Sequence, residues 1–117
     1  MKALHFYGIP NCDSVKKATK WLDGHGISYQ FVDFRKNPVE TRKISYWLDH
    51  VGGDALINRR STTWKALGDA EKERLLSEDA VTTLADHITI IKRPVVEHQD
   101  TILVGFSDDN YTRTFKG

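Results

Sequence analysis

The strongest constraint in this chain is its opening pattern of strand, helix and strand joined by very short links. Leu4-His5-Phe6-Tyr7 reads as a short strand, and the wider run from Ala3 to Tyr7 is apolar and aromatic enough for a central one. Gly8-Ile9-Pro10-Asn11 reads as a turn. A helix follows from about Asp13 to about Asp23, with Val15, Ala18, Trp21 and Leu22 at helical spacing on one face. It stops near Gly24-His25-Gly26, where glycine supplies a C-cap. Ser28-Tyr29-Gln30-Phe31-Val32-Asp33-Phe34 then alternates polar and apolar, the period of a strand. Such a βαβ unit has parallel strands and a right-handed crossover.

The middle of the chain reads as helical. Arg35-Lys36-Asn37-Pro38 breaks the strand pattern, and a second helix runs from about Val39 to His50. Ile44, Trp47, Leu48 and Val51 line its apolar stripe, and Gly52-Gly53 ends it. From Asp54 to His87 the pattern predicts short helices, with Leu56, Ile57, Trp64 and Leu67 as scattered apolar anchors. Asp69 is the expected N-cap of a helix over Ala70 to Leu76. Ser77 is the expected cap of the next, with Val81, Leu84, Ala85 and Ile88 on one face. Trp21, Trp47 and Trp64 read as core or insert packing.

Strand signals return late. Pro94 to Glu97 and Thr101 to Val104 form a predicted antiparallel hairpin around His98-Gln99-Asp100. Gly105 leaves the hairpin, and Ser107-Asp108-Asp109 caps a last helix over Asn110 to Phe115. The order βαβ, helices, ββα predicts an α/β thioredoxin-like fold with a mixed four-stranded sheet and a helical insertion. Its core would span about 1–36 and 90–117, the insertion about 37–89, in a single domain; a chain of 117 residues can bury a real core.

Composition narrows the function. A net charge of +1 gives no footprint for direct nucleic-acid binding. No signal pattern and no long apolar run is present, so neither secretion nor membrane spanning is expected. The chain has one cysteine, which precludes an internal disulfide framework and fits a reducing cytoplasm. None of His5, His25, His50, His87 and His98 pairs with another at a metal-ligand spacing, so no metal site is expected.

That one cysteine, Cys12, stands where a reactive thiol would be placed. The first turn of a helix carries unpaired N–H groups and partial positive charge, both of which stabilise a thiolate. Lys16 and Lys17, one turn on, are expected to favour the anion and Asp13 to oppose it. A lone cysteine is often a small buried apolar residue. Its neighbours Asn11, Asp13 and Ser14 are turn and cap residues instead, which favours the reactive reading.

Three motifs carry a resemblance: Tyr7-Gly8-Ile9-Pro10-Asn11-Cys12-Asp13-Ser14-Val15-Lys16-Lys17-Ala18, then Ile91-Lys92-Arg93-Pro94-Val95-Val96, then Leu103-Val104-Gly105-Phe106. With these motifs in this order the chain resembles the arsenate reductase (ArsC)-like family, within it the YffB group, and is similar to the Spx regulators. The resemblance implies that Cys12 is the nucleophile. It implies that Arg93 precedes a cis Pro94 beside it, with the Val95 backbone near the sulfur.

The departures from the family pattern are as informative. Arsenate reductases of the family hold their oxyanion with three arginines, whose forked guanidinium groups suit that task. Only Arg93 matches cleanly here. Asn58 falls at the second position, with Arg59 or Arg60 adjacent to it, and the third falls near Gly105, which has no side chain. Arsenate reduction is therefore expected to be impaired or absent. Many Spx regulators carry a Cys-x-x-Cys switch and bind RNA polymerase; Val15 stands at the position of the second cysteine, so that switch cannot form.

The YffB resemblance implies a glutathione-dependent thiol reductase. A single thiol needs an outside thiol to resolve its mixed disulfide, and glutathione, the abundant cytoplasmic one, serves as reducing co-substrate. Arg93, Arg60 and the first turn of the Cys12 helix, with Lys16 nearby, are the expected holders of its carboxylates. Asn11 is a candidate to orient the thiolate. Ser14 either donates to it or caps the helix. Glutaredoxin or RNA polymerase are the alternative partners, for a glutaredoxin-coupled arsenate reductase or a non-enzymatic regulator respectively.

Overall fold

Alternation along the first strand decides which side of the sheet is buried. The computed structural model describes residues 4–37, 39–77 and 79–115. Ala3, expected at the start of the first strand, and Pro38, part of the expected break, lie outside the described residues. The chain divides into two compact units, one comprising the chain up to Asp33 together with Arg93 onward, the other Phe34–Lys92. In the first unit β1 (Leu4–Gly8) buries Leu4, Phe6 and Gly8 and leaves His5 and Tyr7 half-buried. α1 (Asp13–Gly24) sets Val15, Ala18, Trp21 and Leu22 into one cluster with Leu4 and Phe6. It ends in a Schellman motif: the Ile27 N–H donates to the Leu22 carbonyl at 3.0 Å and the Gly26 N–H to that of Asp23 at 3.2 Å. Gly26 takes the left-handed position, φ +68°. β2 (Tyr29–Asp33) then pairs parallel with β1, Leu4 opposite Tyr29 through to Gly8 opposite Asp33.

The second unit is helical, with caps that differ from expectation. α2 (Thr41–Val51) starts later than Val39, with Glu40 as its N-cap, and buries Ile44 and Trp47. α3 (Gly53–Leu56), α4 (Thr62–Ala66), α5 (Asp69–Arg74) and α6 (Ala80–Asp86) follow, then a 3-10 turn over Ile88–Ile90. Gly68, not Asp69, is the N-cap of α5; Asp69 is its first helical residue, with its carboxylate at the positive helix end. Asp79, not Ser77, is the N-cap of α6, and the Ser77 hydroxyl accepts the Asp79 N–H one step earlier, at 3.2 Å. α6 buries Thr83 and Leu84 rather than Val81 and Ala85. Thr83 tolerates burial because its hydroxyl donates to the Asp79 carbonyl at 2.9 Å. Where only helices were expected, Ile57 also forms an antiparallel bridge with Ile91. Trp47 is fully buried, whereas Trp64 is only half-buried, its ring within cation–π reach of Arg59 at 5.7 Å and Lys72 at 5.3 Å.

The first unit resumes with β3 (Val95–His98) and β4 (Thr101–Val104). β3 runs antiparallel to β1, and β4 antiparallel to β3 with Val95 opposite Val104. The sheet order β2-β1-β3-β4 makes the mixed four-stranded, thioredoxin-like sheet that the element order predicts. β2 is an edge strand, which accounts for its blurred alternation: Gln30 and Phe31 are both exposed, and Phe31 stacks on Phe6 at 5.5 Å. α7 (Asp108–Phe115) begins earlier than Asn110, and Asp108 and Asp109 lie in its first turn; Ser107 accepts the Asn110 N–H at 3.4 Å. It brings Tyr111 into the core, edge-on to Trp21 at 5.5 Å and to Phe106 at 5.0 Å.

Candidate active site

The end of β1 and the start of α1 are locked together. A Cβ on Gly8 would stand 2.8 Å from Val15 Cγ2, so the strand and the first helical turn touch with no room for a side chain. Between them the Cys12 N–H donates to the Ile9 carbonyl at 3.3 Å, and the Cys12 carbonyl accepts the Lys16 N–H at 3.0 Å. Cys12 is thereby the N-cap of α1, with extended φ −103° and ψ 129°. Ser, Thr, Asp and Asn usually fill that place because their oxygens accept the free N–H groups. A neutral thiol is a poor acceptor, and Cys12 makes no cap hydrogen bond. A thiolate at the same spot is well served.

The electrostatics follow from this placement. Burial pushes the Cys12 thiol up, but the Val15 N–H, the Arg93 side chain and the Ser14 N–H, together with the Arg93 charge, more than offset it. The thiol lies below its ordinary range. The sources differ from expectation. Lys16, Lys17 and Asp13 are exposed and are not among the causes of the shift; the Val15 N–H comes first among the groups that lower the thiol, followed by Arg93. A residue adjacent in sequence on a helix points along its own direction, and adjacency gave the lysines undue weight. Ser14 is not the cap, and acts on the sulfur through its backbone N–H. Asn11 is exposed in the turn and is not among the groups that lower the thiol.

Arg93 and Pro94 come from the other end of the unit. Their peptide bond is cis, and Pro94 and Val95 are buried. The Gly105 N–H donates to the Pro94 carbonyl at 2.8 Å. Tyr7, on the strand leading to the thiol and opposite Val95, is pushed up to about 12 by burial, reinforced by the charge of Glu97 and a hydrogen bond to it. It stays a neutral phenol.

Arg60 belongs to the second unit, where it is exposed and its N–H is held by Asn58 Oδ1 at 3.0 Å. Arg59, its rival as a replacement arginine, is engaged locally by Asp54 at 3.3 Å and by the Trp64 ring. One contributor escaped the sequence: the Val15 N–H, for which the N-cap register was the available signal.

Comparisons with known proteins agree with this geometry. The ArsC family model matches residues 7–114. A YffB protein of known structure is 34% identical and superposes with a TM-score of 0.90, covering 95% of this chain and 97% of its own. An uncharacterized protein of Haemophilus influenzae is 38% identical over 109 residues, 93% of this chain and 96% of its own. The global transcriptional regulator Spx 2 of Lactococcus lactis is 30% identical over 105 residues, 88% of this chain and 79% of its own.

Proposed function

The chain belongs to the ArsC family, and we propose that within it this protein is a glutathione-dependent thiol reductase whose nucleophile is Cys12. The observation that carries the proposal is a lone half-buried cysteine at a helix N-cap, its anion favoured by two backbone N–H groups and a guanidinium. The Cys12 thiolate attacks the glutathione sulfur of a mixed disulfide; the substrate leaves as its thiolate and Cys12 becomes glutathionylated. A glutathione thiolate then attacks the glutathione sulfur of that adduct, which releases oxidised glutathione and returns Cys12 as thiolate. The net change is one substrate sulfur reduced and two glutathione molecules joined. Arg93 has two tasks in this cycle, favouring the attacking thiolate and offering a fork to a carboxylate of glutathione. A low thiol pKa also makes Cys12 a good leaving group in the second step.

Arsenate reduction is the weaker reading, because Arg93 is the only side chain of the family's three arginines that acts on Cys12, and Gly105 offers none. The likeness to the Spx regulator supports a second reading, a non-enzymatic protein that binds RNA polymerase or another partner without a two-cysteine switch.

A coupled assay separates the readings. The substrate is a glutathione mixed disulfide of a small thiol, with reduced glutathione, glutathione reductase and NADPH. The reductase reading expects turnover that requires glutathione and disappears in Cys12→Ser, while the variant still unfolds cooperatively in urea. No turnover by the wild type, or turnover that survives Cys12→Ser, would contradict it. Capture of purified RNA polymerase equally by both proteins, with no turnover, is the outcome the second reading expects.

A further inference from the structure

Gly105 lies just past β4, buried, with φ +76°. Its N–H bond to the Pro94 carbonyl sits one step beyond the Val95–Val104 pair, so the β3–β4 ladder continues onto the residue that follows Arg93. Pro94 has no N–H of its own, and its carbonyl is the one backbone group it can offer to a ladder. After Gly105 the left-handed turn sends Phe106 to pack edge-on against Tyr111 at 5.0 Å. The chain therefore reverses sharply at the one residue whose N–H must also face Pro94. A side chain at that φ is strained, and relief by rotation would draw the N–H away from the carbonyl.

We propose that Gly105 is a positioning residue for the thiol site: its bond to Pro94 fixes the backbone from which Arg93 reaches the Cys12 sulfur. The role rests on the reading of Cys12 as nucleophile, and it acts through Arg93 rather than on the reacting atoms.

The test is the pH titration of thiolate ultraviolet absorbance in Gly105→Ala, set beside Arg93→Ala, the double variant and Gly26→Ala. Gly26 also has positive φ, +68°, at the far end of α1, and its substitution imposes similar backbone strain away from the site. The expected result is a Cys12 midpoint moved upward in Gly105→Ala and unmoved in Gly26→Ala, with no further movement when Gly105→Ala is added to Arg93→Ala. Should Gly105→Ala not fold, Gly105→Asn is titrated instead; its side chain tolerates the left-handed region better but not as freely as glycine, so a smaller upward shift is expected, with no further movement when it is added to Arg93→Ala. A wild-type midpoint in a variant at Gly105, or a shift that persists without Arg93, overturns the positioning role alone. An ordinary cysteine midpoint in the wild type overturns both that role and the reductase reading.

Discussion

Replacing Gly8 with alanine is expected to disturb stability and thiol chemistry through one contact. The new Cβ would stand 2.8 Å from Val15 Cγ2 and 3.5 Å from Phe6 Cε1. Neither strand nor side chain can yield easily. Gly8 is registered against Asp33 in the parallel β1–β2 pair. Val15 is 2% exposed, and its β-branched side chain has one strongly preferred rotamer in a helix. The displacement therefore falls on the first turn of α1. Overpacking of this kind costs about 1–3 kcal/mol, a large share of the roughly 5–15 kcal/mol that holds a domain together. The same turn carries the Ser14 and Val15 N–H groups that favour the Cys12 anion, so the thiol midpoint should rise as well. Urea denaturation gives the first quantity and thiolate absorbance against pH the second. Val15→Ala removes the methyl that clashes; alone it costs roughly 1–2 kcal/mol of lost burial. Combined with Gly8→Ala it should cost less than the sum of the two. A Gly8→Ala protein as stable as wild type with an unchanged midpoint, or strict additivity with Val15→Ala, would refute the reasoning.

Four further outcomes follow from the same structure. Arg93→Ala should raise the Cys12 midpoint, and the rate of alkylation by iodoacetamide should climb at higher pH than in wild type. The depressed folded value of Cys12 contributes stability that is present above the unfolded value and lost as pH falls through the folded one. The stability gap between wild type and Cys12→Ser should therefore widen as pH rises toward the ordinary cysteine range, read from urea midpoints across pH. Tyr7 titrates at about 12 in the fold against 10.0 unfolded, so its contribution is full below 10 and lost as pH rises through that window; alkaline unfolding should be less steep in Tyr7→Phe. Tyr111 is fully buried and its hydroxyl finds no hydrogen-bond partner among the described residues, so Tyr111→Phe should gain about 1 kcal/mol in thermal or urea denaturation rather than lose it.

The parts of the fold legible in the sequence are those governed by local period and short connection. Leu4 to Asp33 announces βαβ because a strand run, a four-residue apolar helix face and glycine punctuation sit within a few residues of one another. The hairpin at Gln99-Asp100 is legible for the same reason. The helices of the second unit are too short for periodicity to fix their ends, and caps at Gly68 and Asp79 were accordingly misplaced onto Asp69 and Ser77. The Ile57–Ile91 bridge joins residues far apart in sequence and has no local signature. In the site, Cys12 was readable from the helix N-terminus alone. Arg93 was readable only through family resemblance, since nothing near Cys12 in sequence points to it. The lysines beside Cys12 drew a weight in the thiol's electrostatics that belongs to the Val15 N–H and Arg93, because charge is visible in sequence and side-chain direction is not.

The central claim is that Cys12 is a low-pKa thiol that exchanges with glutathione. Its most direct test is intact-protein mass spectrometry after incubation with oxidised glutathione across a pH series, with Cys12→Ser as control. The account predicts one glutathione adduct on the wild type and none on the variant, forming at lower pH than an ordinary cysteine requires and cleared by reduced glutathione. No adduct, or one that forms only near the roughly 8.5 of a free cysteine, would contradict it.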